Sequence, residues 1–167
     1  MSLTRLNELP ADEAVAEFAK CCGARRWAEM MTARRPFESV EELTRTADDI
    51  WSLLSHEDWL EAFRSHPKIG EKKGVETVSA QAQQWSGQEQ SGVRDADSET
   101  VDSLARLNRE YEEKFGFIFI VCATGKSAGE MLAILRERLP NDAATELHIA
   151  AAEQAKITEL RLKKLIN

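Results

Sequence analysis

"FGFIFIVCATG", residues 115–125, is the stretch on which the fold turns. Its Phe, Ile and Val content is that of a β-strand, yet the rest of the chain offers no second stretch of the kind to pair with it. A lone strand leaves its own backbone N–H and C=O groups without partners. The consistent reading is an all-α fold with this segment threaded through it, buried and extended over 117–124. Some of its backbone groups then need partners from elsewhere, and a polar ligand could supply them.

Outward from that segment the dominant period is helical. "DSETVDSLARLNREYEEKFG" carries an apolar stripe at Val101, Leu104, Leu107 or Asn108, Tyr111 and Phe115, and Gly116 ends it. On the other side, "KSAGEMLAILRERLPN" opens with Ser127 and Glu130 in capping-box spacing, and "NDAATELHIAAAEQAKITELRLKKLIN" completes the chain. Towards the N-terminus, "PADEAVAEFAKCCG" has Pro10 near its first turn and stops at Gly23, and "ARRWAEMMTARRPF" stops before Pro36. "SVEELTRTADDIWSLLS", with Ser39 and Glu42 in capping-box spacing, and "SHEDWLEAFRS" follow almost without a gap. From Lys72 to Asp97 the chain is rich in Gly, Ser and Gln, with one short helical piece around Ala80 to Trp85. The expected fold is a single-domain helical bundle, residues 1–167, of about seven to nine helices.

The 167 residues suffice for one domain with a real core. A net charge of −7, with Lys and Arg scattered, argues against nucleic acid or an anionic membrane as partner. The longest apolar run is the short "FIFIVCA", and no leader is recognisable, so a cytoplasmic protein is expected. Cys21, Cys22 and Cys122 are too few and too badly spaced for a disulfide framework or a zinc site, which points to a reducing compartment and no structural metal.

Four features invite chemistry, and each has a plainer explanation. His66-Pro67 stands where the helix of "SHEDWLEAFRS" must stop, because a proline pushes the residue before it towards extended backbone; it holds an imidazole at a helix end or merely ends the helix. Ser86 and Glu89 in "WSGQEQSG" have the spacing of another capping box, and Gln90 beside them has no evident local role. "TGKS", 124–127, lacks a Walker A glycine, since Ile120 stands at that position. Arg161 falls at the centre of the helix face made by Leu147, Ala150, Ile157 and Leu165, so it points inward and needs a carboxylate, carbonyls or a ligand. His56 and His148 read as surface residues.

Taken together, "HPKIGEKK", "SGQEQ", "LNREYEEKFGFIFIVCATGKS", "ELRLKKL" and the earlier "RRPF" resemble the OHCU decarboxylase family, enzymes acting on 2-oxo-4-hydroxy-4-carboxy-5-ureidoimidazoline (OHCU) in uric acid breakdown. The resemblance covers nearly the whole chain. It implies an all-helical, usually homodimeric enzyme without cofactor or metal. By matching positions it makes His66 and Glu89 catalytic, and places Pro67, Ser86, Gln90, Arg161 and the segment Phe119, Ile120, Val121, Cys122 and Ala123 around the substrate. Gly87 within "SGQEQ" departs from the pattern and is expected to loosen that turn. A non-catalytic binding module, or a hydrolase acting on a neighbouring intermediate, are the other readings of the same residues.

Overall fold

A computed structural model describes residues 1–70 and 78–167. Among them lie nine α-helices, one short 3-10 turn at Ser91–Val93 and no strand. The helices are α1 (Leu3–Glu8), α2 (Ala11–Cys21), α3 (Arg25–Ala33), α4 (Val40–Leu53), α5 (His56–Arg64), α6 (Ala80–Glu89), α7 (Ser98–Phe115), α8 (Ala128–Arg138) and α9 (Ala143–Leu165). They fall into two compact units, Met1–Ala62 with Ala155–Asn167, and Phe63–Gln154.

In the first unit, the ring of Phe18 from α2 meets Trp27 of α3 edge-on at 6.0 Å, and the indole N–H of Trp27 donates to the Ala47 carbonyl of α4 at 3.1 Å. The indole thus joins the core without leaving a polar atom unpaired. Helix α1 is too short to be stable alone. Its carbonyl end is held by Arg35, whose guanidinium donates to the Leu6 and Leu9 carbonyls at 2.8 Å each. Asn7 pairs with the backbone of Phe37 in both directions, at 2.8 and 3.0 Å. These contacts give "RRPF" a structural duty: Arg35 and Phe37 fasten α1.

The second unit is organised around the extended segment. Gly116 ends α7 in the left-handed region, φ 78°, where a side chain would be strained, and the chain then passes without helix or strand through 118–123 and a turn at 124–125 to the N-cap of α8. There Ser127 accepts from Glu130 N while the Glu130 carboxylate accepts from Ser127 N, the expected capping box. Phe119, Val121 and Ala123 join one core cluster with Leu104, Leu107 and Tyr111 of α7 and Met131 and Leu135 of α8. Alternate residues therefore face that core, as on a strand, although no strand lies alongside.

Side chains replace the missing strand. Arg138 Nη1 donates to the Ile120 carbonyl at 2.7 Å, Cys122 N–H donates to Glu153 Oε2 at 2.7 Å, and Lys126 Nζ donates to the Cys122 carbonyl at 2.7 Å. The three partnered groups belong to residues 120 and 122, which in extended backbone share one edge of the segment. Protein groups thus meet part of the need that a ligand could have filled. Arg138 is itself 6 % exposed and forms an ion pair with the wholly buried Glu146, which also accepts from the Tyr111 hydroxyl at 2.5 Å and Asn141 Nδ2 at 3.0 Å. Burial and the hydrogen bond to Glu146 push the Tyr111 phenol far above its usual range, so it stays a donor.

A second backbone approach locks the end of the segment. A methyl group on Gly92 would stand 2.1 Å from the Lys126 carbonyl oxygen, a contact with main chain that no rotamer change relieves. Gly92→Ala is therefore expected to cost on the order of 2 kcal/mol or more, seen as a lower urea midpoint at unchanged m-value. An unaltered midpoint would show that the close approach is absent in solution.

Candidate active site

Helix α5 ends at Arg64, and His66 N–H still donates to Phe63 O at 3.1 Å, so the chain leaves the helix just ahead of Pro67 as the proline requires. His66 is partly buried. Its Nε2 lies 2.7 Å from Oε1 of Gln154, a side chain with no exposure at all. Gln154 follows Glu153, the residue that accepts from Cys122 N–H. One turn of α9 thus holds both the imidazole and the extended segment.

Ser86 and Glu89 are buried, at 5 % and 8 % exposure, and sit one turn apart on α6. The expected capping box between them is not formed. Helix α6 runs on to Glu89, both residues lie inside it, and its N-cap is Ser79, whose hydroxyl accepts from Ala82 N. Gly87 accordingly occupies an exposed helical position rather than a turn. A serine and a glutamate facing inward without a capping duty are costly to bury unless they are hydrogen-bonded or serve a ligand. Gln90, the C-cap of α6, accepts from Gly70 N–H through Oε1 at 3.0 Å, which ties the end of α6 to the stretch that follows His66 and Pro67. The first part of the Lys72–Asp97 loop, from 72 to 77, lies outside the described residues.

Within the second unit, His66 and Cys122 are therefore tied to the adjacent α9 residues Gln154 and Glu153, and Gln90 is tied to Gly70, three residues after Pro67. Glu89 also stands near enough to Cys122 for its charge to help raise that thiol, after burial and with Glu153, while Lys126 pulls it down. Arg161 belongs to the first unit. It is 4 % exposed, as its place on the apolar face of α9 requires, and its positive charge bears on Cys21 and Cys22. Desolvation dominates at both thiols, however: Cys21 is pushed far up and Cys22 up to about 11, so neither is a nucleophile near neutrality. His56 is exposed and stacks on Trp59 at 5.2 Å, and His148 is exposed and bonds Ala144 O at 2.8 Å, as surface residues should. Among the described residues no group of three His, Cys, Asp or Glu side chains could hold a metal ion, and no helix is long and apolar enough to cross a membrane.

Glu153, Gln154 and Arg138 were not apparent from the sequence pattern. Gln154 did leave a signal: it stands two helical turns before Arg161, a polar residue in the middle of an otherwise apolar stripe.

The family model described as OHCU decarboxylase matches residues 7–163. Over 152 residues the chain is 41% identical to the uric acid degradation bifunctional protein TTL of Arabidopsis thaliana, covering 90% of this chain and 47% of that protein, so it spans about half of that relative's length. It is 31% identical to the 2-oxo-4-hydroxy-4-carboxy-5-ureidoimidazoline decarboxylase of Haloferax volcanii over 97% of this chain and 94% of that one. Among solved structures it superimposes with a TM-score of 0.79 and 40% identity on OHCU decarboxylase crystallised in the presence of (S)-allantoin, covering 90% of this chain and 97% of that chain. The helical architecture, the family match and these relatives together establish that the chain belongs to the OHCU decarboxylase family.

Proposed function

We propose that the chain, residues 1–167 as one domain of this family, decarboxylates OHCU to (S)-allantoin in uric acid degradation, as a cytoplasmic homodimer without cofactor or metal. The observation that carries the reading is His66: an imidazole placed by the Pro67 stop and held by a wholly buried glutamine, in a chain whose relatives bear this activity in their names.

The reaction asks little of a protein beyond placement. The bond to the carboxylate breaks and its electron pair enters the ring C=N beside the reacting carbon, so the substrate supplies the sink that a bound pyridoxal or thiazolium would otherwise provide. CO₂ leaves and one proton is added to what remains. The protein positions the ring, disfavours the carboxylate charge and controls the proton. Arg161 and the backbone of Phe119 to Ala123 bind ring and ureido carbonyls, on a segment held in place by Arg138, Glu153 and Lys126 through Ile120 and Cys122. Glu89 bonds the hydroxyl on the reacting carbon and crowds the carboxylate. Ser86, Gln90 and Pro67 shape the surroundings, and His66 exchanges the proton.

Freshly generated OHCU, with and without the protein and in the presence of EDTA, tests the proposal by circular dichroism and NMR. Accelerated loss of the carboxylate carbon with a single enantiomer of allantoin is the expected result. No acceleration would leave a binding module, a product that keeps its carboxylate would mean hydrolysis, and activity restored only by added metal would overturn the cofactor-free mechanism. Arg161→Lys should raise KM well beyond what conserved charge suggests, roughly tenfold or more, because a planar fork is replaced by a point charge. Unchanged kinetics would make Arg161 structural only. Sedimentation velocity checks the dimer.

A further inference from the structure

We infer that Gln154 is a positioning residue that holds His66 with its proton on Nε2, making Nδ1 the nitrogen through which the reaction's proton passes. The inference rests on the decarboxylase reading for its catalytic meaning, but the tautomer itself does not.

The argument starts from the acceptor. Gln154 turns Oε1 towards His66 Nε2 at 2.7 Å, a full hydrogen-bond distance. A carbonyl-type oxygen accepts and cannot donate, so the proton of that bond belongs to the ring. Gln154 is fully buried, on a helix whose preceding residue is fastened to Cys122 N–H at 2.7 Å. His66 for its part is followed by a ring-constrained residue that limits its backbone. Both partners are therefore held, and the ring cannot exchange its nitrogens by a flip without losing the bond.

The proton count fits this arrangement. Decarboxylation of the carboxylate form breaks one C–C bond, sends its electron pair into the C=N, releases CO₂ and takes up one proton on the product skeleton. An imidazolium carries a proton on each nitrogen. When it gives up one, the nitrogen whose proton is engaged by Gln154 keeps it, and the neutral ring left behind is the Nε2–H tautomer already favoured in the resting site. The donor is thus Nδ1.

The test uses the full chain with ¹⁵N-labelled histidine. The sequence has three histidines, and the His66 signals are those missing from the spectrum of His66→Asn. At a pH where the ring is neutral, the wild type should show Nε2 as a protonated nitrogen and Nδ1 with the shift of a lone-pair nitrogen. Gln154→Met, of similar length but without the acceptor, should move both towards the averaged values of an exchanging imidazole, and lower kcat about tenfold with KM within about twofold. Gln154→Glu keeps an acceptor in place and should retain the Nε2–H signature. A wild-type ring protonated on Nδ1, or a Gln154→Met spectrum identical to wild type, would overturn the inference, and the wild-type spectrum decides even if a variant fails to fold. A protein inert towards OHCU that still shows the Nε2–H ring would sink the functional reading while leaving the tautomer standing.

Discussion

His66→Asn is expected to fold and to lose about 100-fold or more in the rate of OHCU decarboxylation, the size of effect that a positioned general acid contributes. Asparagine tolerates extended backbone before Pro67 and keeps one hydrogen-bonding edge, but it cannot exchange a proton. Ligand affinity should change much less than kcat, because ring recognition is assigned to Arg161 and the 119–123 backbone rather than to the imidazole. The product is the sharper readout. With no placed donor, water competes to protonate the neighbouring ureido-bearing carbon of the former C=N, and the allantoin that still forms should show reduced enantiomeric excess. Near-normal turnover with one enantiomer would reduce His66 to a helix stop.

Arg138→Met should be the most destabilising single change in the second unit that leaves the apolar core intact. The guanidinium donates to Glu146 Oε1 from Nε at 2.6 Å, to the Ile120 carbonyl at 2.7 Å and to the Tyr111 hydroxyl at 3.3 Å. Its face also lies over the Phe119 ring at 4.8 Å. Methionine keeps much of the packing but leaves a buried carboxylate without its counter-charge and a backbone carbonyl without its donor. Breaking a buried pair in this way typically costs about 3–5 kcal/mol, which urea unfolding measures directly. The double change Arg138→Met with Glu146→Gln should cost less than the sum of the two singles, since the second removes the charge that the first strands. Strict additivity, or a loss under about 1 kcal/mol for Arg138→Met, would show that solvent already screens the pair. Because Arg138 holds the Ile120 carbonyl, this variant should also bind ligand more weakly even where it remains folded.

The sequence made some of this legible and hid the rest for physical reasons. An apolar run with no possible partner strand is a strong constraint, and residues 119–123 are indeed buried without helix or strand, while Phe117 and Ile118 are half-buried and Thr124 is exposed in a turn. The Ser127/Glu130 box, the Gly116 stop and the inward Arg161 rest on local geometry that neighbouring residues determine, and all three are present. Where local geometry admits two answers the pattern misled: Ser-x-x-Glu at 86–89 is equally a cap and one turn of helix interior, and α6, with Gln on its exposed face and Gly87 within it, has little periodicity to extend it past Trp85. Helix α1 has a local cap in Ser2, but what fastens it is the hold of Arg35 and Asn7 across to a distant stretch of chain, which the local pattern does not announce. The pairing of Arg138 with Glu146 crosses the α8–α9 turn, and the attachment of Glu153 to Cys122 spans 31 positions; such partners are chosen by the fold.

Buried thiols that resist ionisation make this protein a recorder of its own opening. Cys21 and Cys22 lie in the first unit and Cys122 in the second, all with exposure below a tenth and all raised above the ordinary thiol range by desolvation. An alkylating reagent can therefore modify them only in molecules whose local structure has opened, and the rate of labelling at each position reports the free energy of that opening. Mass spectrometry of peptides around residues 21–22 and around residue 122 would clock the two units separately in one sample. Substrate or product added during labelling should slow Cys122, whose neighbours are assigned to the ligand.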